Sequence, residues 1–376
     1  MEFKINNECF YKAITEVNKA VSRKSPLPIL ECIKIVANSE CLILVGSNAD
    51  FFIEKVIPLF INGVKVLEVI NTGCIVISAK YLGEIVKKLP QDIFVKVNEQ
   101  QIVTIRSGEV STNLKGFNSK EYPRLPHIDG TKHLEIPSIE LNEMIKQTIF
   151  AVSKSGTRPV LTGVNMLFDK NRFTCVATNS HRLALRELAI ESNINGSFIV
   201  PSANLNELSK LFNNGLGMIH IYLIESYIVF KSNNISLFSR LIEGNYPNVS
   251  GLFSAHYKTG IILDTIQFLQ GIDRAYLFAS EWRNNNVQLE IKDGNKIQIS
   301  SNSLEIGEIV ETQTIKKIVG ETDLSISLDG NFLLDALKAV KEKEVKLSFS
   351  GPMRPVLIEP LENPSYIQLI SPVRTY

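Results

Sequence analysis

The chain has little of the chemistry on which most enzymes and secreted proteins depend. Its 376 residues include only five cysteines and five histidines, and no two cysteines form a C-x-x-C pair. Such scattered residues argue against disulfides and against a metal site, so we expect reduced thiols, mostly in the core. The patterns G-x-x-x-x-G-K-[ST] and G-x-S-x-G are also missing. Ser180 and His181 are neighbours, but members of a catalytic triad are rarely adjacent in sequence. The sequence therefore predicts a protein without a metal, a cofactor or a catalytic centre.

Long hydrophobic segments and a strong net charge are missing as well. No apolar run reaches the roughly 18 residues of a transmembrane helix, and the first residues, MEFKINNECF, lack the apolar core of a signal peptide. We therefore expect a cytoplasmic protein. Forty Lys and Arg residues balance 39 Asp and Glu residues. DNA binding would thus require basic residues to be sorted onto one surface.

What the chain does contain is a threefold repeat. One helical pattern of a leucine, an acidic residue and a lysine occurs three times, with copies about 125 residues apart. The copies are Leu82, Glu84 and Lys87; Leu205, Glu207 and Lys210; and Leu333, Asp335 and Lys338. Except for Ser209, the residues at positions i, i+3, i+4 and i+7 from each leucine are apolar, which predicts one buried helix face. The period matches a small domain rather than a solenoid unit, so we interpret the chain as three copies of one domain.

A second repeated sequence pattern supports the interpretation of three copies of one domain. Strand-like apolar runs lead into a turn of small polar residues at 47–49, at 178–180 and at 301–303. Tyr-Pro pairs at 122–123 and at 246–247 close the first two repeats. We place the domain boundaries near residues 127 and 251, giving domains 1–127, 128–251 and 252–376.

Each repeat also opens with a longer amphipathic helix followed by alternating, strand-like segments. The buried stripes are Phe10, Ile14, Val17 and Val21; Leu141, Ile145, Ile149 and Val152; and Phe268, Leu269 and Ile272. Lys146 and Gln147 should lie outside, and Asp264 should cap the third of these helices. Two helices and many strands in each repeat predict an α+β fold, with the helices gathered on one side of the sheets.

Basic residues recur on or beside the exposed faces of the six helices. These are Lys12, Lys19, Lys87, Lys88, Lys146, Lys210, Arg274, Lys338 and Lys341. Any one of them could be ordinary solvated surface, and acidic residues share the same faces. Three similar domains placed side by side would nevertheless gather these residues on one concave surface. Such a surface attracts phosphates without reading bases.

Four segments carry a specific resemblance to a known family. They are RPVLTGVN (158–165), CVATNSHRLALRE (175–187), FSRLIEGNYPNVSGLF (238–253) and the terminal SPVRTY (371–376). With them, the chain resembles the bacterial sliding clamp, the β subunit of DNA polymerase III, over its whole length and most closely in low-GC Gram-positive bacteria. The resemblance implies the DNA clamp fold and a head-to-tail homodimer, a ring of six domains around duplex DNA. It also implies a non-catalytic protein, opened by an ATP-driven clamp loader, that tethers the replicative polymerase and repair proteins.

The resemblance further implies a pocket between the second and third domains for short peptides that end in leucine and phenylalanine. Carried over by position, its residues are Leu161, Thr178, His181, Arg182, Leu183, Pro247, Leu252, Phe332, Met353, Pro355, Leu369, Ile370, Pro372, Val373 and Arg374. The apolar side chains would form a slot for the peptide's anchors, while Arg182 and the terminal residues would fix its backbone. For DNA, the resemblance adds Lys24, in a loop at the rim of the hole.

The chain departs from the family pattern at the expected subunit contact. That contact would join the strand carrying Thr112 and Leu114 to a helix end at Tyr276, Leu277 and Phe278 of the third domain. Relatives usually place a phenylalanine near position 112, and burying such a side chain contributes roughly 1.5–3 kcal/mol. An aspartate is usual in the turn of the second repeat, where this chain has Asn179, and the first repeat likewise has Asn48. We hypothesise a diverged clamp, such as a second copy beside a housekeeping one. The alternative is a clamp-like protein that competes for peptide partners without encircling DNA.

Overall fold

The structure, a computed structural model, describes residues 1–22, 24–128, 133–212, 217–253, 256–279, 285–303 and 307–373. Its helices are α1 (Asn7–Val17), α2 (Ala79–Val86), α3 (Ser138–Thr148), α4 (Ser202–Leu211), α5 (Thr265–Ala279) and α6 (Gly330–Lys338). Short 3₁₀ turns lie at Pro28–Glu31, Ser119–Glu121, Ile149–Ala151, Pro159–Thr162 and Ser250–Phe253. Among the described residues, no helix is both long and apolar enough to cross a membrane.

The strands fall into three similar series along the chain. The first series is β1 (Glu2–Ile5), β2 (Cys32–Ala37), β3 (Cys41–Ser47), β4 (Phe51–Pro58), β5 (Phe60–Ile61), β6 (Val64–Lys65), β7 (Leu67–Asn71), β8 (Gly73–Ser78), β9 (Ile93–Val97), β10 (Ile102–Ser107) and β11 (Val110–Lys115). The second is β12 (His133–Pro137), β13 (Gly163–Asp169), β14 (Arg172–Thr178), β15 (Arg182–Ala189), β16 (Gly196–Pro201), β17 (Met218–Ile224), β18 (Tyr227–Ser232) and β19 (Ile235–Arg240). The third is β20 (Thr259–Asp264), β21 (Asn286–Lys292), β22 (Lys296–Ser303), β23 (Gly307–Thr314), β24 (Lys317–Gly320), β25 (Ser325–Asp329), β26 (Glu344–Phe349), β27 (Val356–Pro360) and β28 (Tyr366–Ile370).

The chain packs into two compact units. The first comprises Met1–Glu140 and Asn206–Leu241. It holds a five-stranded sheet in the order β11-β10-β9-β1-β7 and an eight-stranded sheet in the order β12-β17-β18-β19-β4-β3-β2-β8. The eight-stranded sheet joins strands of the first two repeats, because β4 pairs antiparallel with β19.

The second unit comprises Leu141–Leu205 and Ile242–Tyr376. Its nine-stranded sheet runs β16-β13-β14-β15-β28-β27-β26-β20-β24, and its four-stranded sheet runs β23-β22-β21-β25. The nine-stranded sheet joins strands of the second and third repeats, because β15 pairs antiparallel with β28. The joining strands occupy equivalent places in the repeat, since β4 and β15 each follow the small polar turn identified in the sequence.

Side-chain caps and buried stripes fix the helices. The Asn6 side chain accepts a hydrogen bond from the Cys9 amide at 3.1 Å, at the start of α1. Asp264 accepts one from the Gln267 amide at 3.0 Å, as the sequence predicts. This bond, together with Lys316, holds the pKa of Asp264 below its usual value. The repeated leucines Leu82, Leu205 and Leu333 are all buried, which confirms the predicted inner helix face.

Several expectations need correction. Gln147 was expected outside α3 but is only 2% exposed, and its amide donates to Glu143 Oε1 at 3.2 Å. Val21, Ile149 and Val152 are only half-buried, because α1 ends at Val17 and α3 ends at Thr148. The predicted turn at 301–303 is instead the end of β22, whose hydrogen-bonded ladder with β23 continues to Ser303 opposite Gly307.

The cysteines follow the expectation only in part. All five thiols are free, and Cys32 and Cys175 are buried. Burial raises the pKa of Cys32 to about 11 and also raises the pKa of Cys175. Cys9, Cys41 and Cys74 are half-buried, so the expectation of core thiols is wrong for these three. Cys9 lies in the first turn of α1 and Cys41 opens β3, and both places lie at the ends of elements.

Candidate functional site

The predicted pocket residues are organised by a tight turn between β14 and β15. The Asn179 side chain accepts hydrogen bonds from the amides of His181 at 3.0 Å and Arg182 at 2.9 Å. Ser180 adopts a left-handed conformation with φ of 77°, and Thr178 Oγ1 donates to the Arg182 carbonyl at 2.6 Å. The turn thus presents His181 at the surface and directs Arg182 inward.

Strand register brings further predicted residues to the same end of the nine-stranded sheet. Arg182 at the start of β15 lies opposite Ile370 at the end of β28, and Ile370 lies opposite Val356 at the start of β27. The loop that carries Met353 and Pro355, the segment that carries Pro372 and Val373, and the Asn179 turn therefore meet there. A hydrogen bond from the Ser371 amide to the His181 carbonyl at 2.8 Å ties two of these segments together.

Arg182 is the most constrained member of the set. Its side chain is only 4% exposed, and Nη1 donates to Asp335 Oδ2 at 2.7 Å. Nη2 donates to the Phe150 carbonyl. The guanidinium carbon lies 4.5 Å from the centre of the Phe332 ring and 5.3 Å from that of the Phe150 ring. Because both terminal nitrogens have partners within the chain, Arg182 forms a rigid wall at this end of the sheet.

The remaining pocket residues divide by exposure. Leu161, Thr178, Leu183, Leu369 and Ile370 are buried. Leu183 and Leu369 belong to one apolar cluster with Val176, Leu185 and Leu357. Phe332, Pro372 and Val373 are half-buried, whereas His181, Pro247, Leu252, Met353 and Pro355 are exposed. Arg374 lies outside the described residues. Leu252 is 53% exposed and Met353 is 57% exposed, so both offer apolar area to a partner.

A cavity of about 690 Å³ continues beside the second repeat's part of this site. It is lined by Val176 and Leu185 of the apolar cluster and by Tyr246, Pro247 and Phe253. Tyr246 also supports the Asn179 turn, because its hydroxyl accepts a hydrogen bond from the Thr178 amide at 2.9 Å. Burial of that hydroxyl raises its pKa, so it stays protonated at neutral pH.

The sequence analysis missed three residues that build the pocket wall. Asp335 was noted only as the acidic member of a helix repeat, yet it is the carboxylate partner of Arg182. Phe150 and Tyr246 were not assigned to the site. The Tyr-Pro repeat at 122–123 and 246–247 was the available signal for Tyr246, whereas nothing in the local sequence marks the Phe150 carbonyl.

Most of the predicted basic residues are exposed on their own helices or just beyond them. Lys12, Lys24, Lys87, Lys88, Lys146, Lys210, Arg274, Lys338 and Lys341 are exposed, and Lys19 is half-buried. Several have acidic partners. Arg274 binds Glu311 through two hydrogen bonds of 2.7 Å, and Lys210 Nζ lies 2.6 Å from Glu207 Oε1. Such partners reduce the positive charge that these two side chains present to solvent.

Three of the basic residues surround one concavity in the second unit. Lys146 of α3, Lys338 of α6 and Lys341 line a cavity of about 270 Å³, together with Asp335 and Phe150. Lys341 Nζ lies 2.6 Å from Glu143 Oε2. This surface shares Asp335 and Phe150 with the wall of the predicted pocket, so the two candidate sites are connected through Arg182.

The residues of the expected subunit contact lie on an edge strand and at the end of a helix. Thr112 and Leu114 are half-buried on β11, which ends the five-stranded sheet. Tyr276, Leu277 and Phe278 form the last turn of α5. Tyr276 and Phe278 are half-buried, whereas Leu277 is 66% exposed.

Comparison with known proteins identifies the family. Models of the N-terminal, central and C-terminal domains of the DNA polymerase III beta subunit match residues 1–126, 135–248 and 251–374. The chain is 42% identical to the beta sliding clamp of Bacillus subtilis and 39% identical to that of Halalkalibacterium halodurans, each over the full length of both chains.

Solved structures agree with the sequence comparison. The crystal structure of the Bacillus subtilis DNA polymerase sliding clamp superposes with a TM-score of 0.97 at 42% identity. That of the beta subunit from Streptococcus pyogenes DNA polymerase superposes with a TM-score of 0.94 at 34% identity. Both alignments cover all of this chain and all of the other chain. With three matched domains and relatives of this similarity, the chain belongs to the bacterial β sliding clamp family, the non-catalytic processivity subunits of DNA polymerase III.

Proposed function

We propose that two copies of this chain close head to tail into a ring around duplex DNA, and that strand pairing between repeats dictates the closure. Within the chain, β4 of the first repeat pairs with β19 of the second, and β15 of the second pairs with β28 of the third. The equivalent strand of the third repeat is β23, and the equivalent acceptor in the first repeat is β11. Both end their sheets. Pairing of β23 with β11 of a second copy would continue the pattern. This pair of complementary edges is the observation that carries the proposal.

The register of the repeats identifies Thr112 as a contact residue. The β10–β11 hairpin pairs Ser107 with Val110, and the β18–β19 hairpin pairs Ser232 with Ile235. Thr112 is therefore equivalent to Leu237, which is fully buried where β19 meets β4. We infer that Thr112 is buried when the ring closes. A threonine contributes less apolar area there than Leu237 does, so the contact between two copies of the chain is weaker than the contact between β19 and β4 within one chain.

Exposed apolar side chains accompany both edges. Val110 on β11 is 44% exposed, Val310 on β23 is 58% exposed, and Leu277 at the end of α5 is 66% exposed. These groups, together with Leu114, Tyr276 and Phe278, would be covered by the second copy. Burial of apolar side chains and completion of two strand ladders would drive the association.

The basic helix residues would hold DNA without reading its sequence. We propose that Lys12, Lys19, Lys24, Lys87, Lys88, Lys146, Lys210, Arg274 and Lys338 face the duplex. Flexible lysine side chains supply charge to phosphates but no fixed fork for a base edge, and the fork of Arg274 is already bound to Glu311. A ring held by such contacts slides, and its non-topological affinity falls steeply with salt. Because the ring is closed, a clamp loader driven by ATP would be needed to open it.

The Asn179 turn and its neighbours would bind the peptides of the replicative polymerase and of repair proteins. Exposed Met353 and Leu252 supply apolar contact area, and the wall formed by Arg182 and Phe332 is rigid before a peptide arrives. A preformed slot loses little conformational entropy on binding. The segment after β28 can also contribute its backbone, because Val373 is held by a hydrogen bond from its amide to the Ser327 carbonyl at 2.8 Å.

Titration calorimetry with a peptide that ends in leucine and phenylalanine tests the pocket. Met353→Ala, and separately removal of the last five residues, should abolish detectable binding, because each removes part of the apolar slot. Met218→Ala is a matched control, since Met218 is 43% exposed on β17 in the other unit. Affinity unchanged in both pocket variants would contradict the proposal.

A further inference from the structure

A cluster of two histidines and one glutamate lies on the paired strands β12 and β17, away from every residue assigned above. His133 and Glu135 are two residues apart on β12 and therefore project from the same face of the sheet. The register places His220 opposite Glu135 and Tyr222 opposite His133. Leu134, Ile136, Ile219 and Ile221 alternate with them and are buried, so the cluster occupies the face opposite the core. All four polar or aromatic residues belong to the first compact unit.

The ligand atoms converge on a single carboxylate oxygen. His133 Nε2 lies 3.0 Å from Glu135 Oε1, and His220 Nδ1 lies 3.4 Å from the same oxygen. One ligand atom from each of the three side chains lies within 4.8 Å of the others. A tetrahedral zinc ion with ligand distances of about 2.0–2.2 Å separates its ligand atoms by roughly 3.3–3.5 Å. The separation of 3.4 Å matches this geometry, the separation of 3.0 Å is slightly shorter, and the two imidazole nitrogens lie within 4.8 Å of each other.

The surroundings hold the imidazoles in place. The His133 ring centre lies 5.2 Å from that of Tyr222 and 5.3 Å from that of His220. His220 Nδ1 is shielded from solvent, and within the described residues it has no aligned hydrogen-bond partner despite its proximity to Glu135. A buried ring nitrogen that lies close to a carboxylate without an aligned hydrogen bond costs free energy in an ordinary polar cluster. Coordination of a cation would satisfy it.

We propose that His133, Glu135 and His220 form a binding site for a divalent transition metal of the zinc class. Two imidazole nitrogens and one carboxylate oxygen suit Zn²⁺ better than Mg²⁺ or Ca²⁺, which prefer oxygen ligands. Water would complete the coordination, because Glu135 is exposed. Three protein ligands on an open sheet face predict moderate affinity rather than that of a closed structural site.

Metal binding at this position would act on the edge of the eight-stranded sheet. β12 is the edge strand, and its neighbour is β17. A metal ion shared by the two strands would clamp the edge strand to the sheet. Tyr222 also packs against the apolar cluster that contains Val229 and Tyr122, against which Leu125 and Ile128 pack as well. The ion would therefore stabilise the sheet face against which Leu125 and Ile128 pack.

Titration of the full-length chain with Zn²⁺ alone tests the site, with Co²⁺ absorption as a direct view of the coordination. We expect one saturable site per chain, a visible spectrum typical of four-coordinate cobalt with nitrogen ligands, and a rise in the thermal midpoint with zinc. Glu135→Gln and His220→Asn should each weaken binding at least tenfold and remove the thermal shift. The Glu135→Gln variant should fold normally, because Glu135 is exposed and its replacement does not disturb the core. Weaker zinc binding by this variant would therefore reflect the loss of a ligand.

His256→Asn provides the matched control, since His256 is exposed in the other unit. This variant should bind zinc as the unchanged chain does. Absence of a saturable site in the unchanged chain would overturn the proposal. Equal zinc affinity in the Glu135→Gln, His220→Asn and His256→Asn variants would also overturn it, because the metal would then be bound elsewhere.

Discussion

The turns at 47–51 and 178–182 are two copies of one structure with different surroundings. Asn48 accepts hydrogen bonds from the amides of Asp50 at 3.2 Å and Phe51 at 2.9 Å, as Asn179 does from His181 and Arg182. Ala49 and Ser180 share a left-handed conformation, with φ of 83° and 77°. In the first repeat the residue after the turn is Phe51, which is simply buried. In the second repeat it is Arg182, which can be buried because its guanidinium donates hydrogen bonds to Asp335 and to the Phe150 carbonyl.

The supporting tyrosines differ in the same way. Tyr122 is 3% exposed, and its hydroxyl lies 3.1 Å from the carbonyl oxygens of both Cys32 and Val45. Tyr246 is half-buried beside exposed Pro247 and lines the cavity of the second unit. The tyrosine beside the first turn is thus buried, whereas the tyrosine beside the second turn lines a cavity, and the residue after that second turn is the buried cation Arg182. The two repeats thus share the turn, whereas the residues around the second copy make it a candidate binding site.

The largest effect should come from the acidic position of the helix repeat. Asp335→Ala leaves the Arg182 cation buried without its carboxylate, and loss of one partner of a buried pair costs roughly 3 kcal/mol of unfolding free energy. Denaturant unfolding monitored for the full-length chain measures this loss.

The equivalent residues in the other repeats serve as controls. Glu84 lies 3.8 Å from Lys88 with both side chains mostly exposed, and Glu207 pairs with an exposed lysine, Lys210. Replacement of either glutamate by alanine should cost less than about 1 kcal/mol. Equal losses at all three positions would contradict a special role for Asp335 as the partner of the buried Arg182.

Substitution of the two supporting tyrosines should have different effects on the stability of the chain and on peptide binding. Tyr122→Phe removes a hydroxyl that serves two buried carbonyls, so we expect a loss of about 1–2 kcal/mol with unchanged peptide affinity. Tyr246→Phe leaves the Thr178 amide without its acceptor and should weaken peptide binding several-fold as well. Paired unfolding and calorimetric measurements on both variants distinguish these outcomes. Peptide affinity that falls equally in both would contradict a division of roles.

The smallest effect should come from replacing the turn residues Asn48 and Asn179 by aspartate. A carboxylate accepts amide hydrogen bonds more strongly than an amide oxygen, so Asn179→Asp should stabilise the chain by less than about 1 kcal/mol at neutral pH. Asn48→Asp should gain less, because Asp50 adds a second negative charge to that turn. The amides should depress the pKa of the new aspartate, so the gain is present above the unfolded pKa of about 3.9 and is lost as pH falls through the folded pKa. Thermal midpoints measured from pH 2 to pH 7 would reveal gains of equal size if the neighbouring charges have no influence.

Much of the fold could be predicted from periodicity in the sequence. Leu82, Leu205 and Leu333 are buried as the helical spacing requires, and strand alternation located the sheets. The residues at which helices and strands end were harder to predict. Nothing near Ser301 shows that β22 runs on through that small polar segment, because its ladder partner β23 decides the outcome. Gln147 is buried for a similar reason, since its burial depends on tertiary packing that helical spacing alone does not reveal.

The candidate pocket was predictable only through the resemblance to a family. Local spacing cannot show that Asp335 meets Arg182, because 153 residues separate them along the chain. The proposed metal-ligand cluster is hidden from local sequence for the same reason. His133 and Glu135 are visible as neighbours in sequence, but only the β12–β17 register brings His220 to them.

The central claim is that β11 and β23 close a ring, and retention on DNA of different topology tests it most directly. The chain would be loaded with a clamp loader and ATP onto nicked circular DNA, and half of the sample would then be linearised. We predict that the chain remains on circles at a salt concentration that abolishes simple electrostatic binding and leaves linear DNA through its ends. A Thr112→Phe variant should remain longer on circles, because a larger apolar side chain strengthens the contact. Equal release from circular and linear DNA would contradict the account.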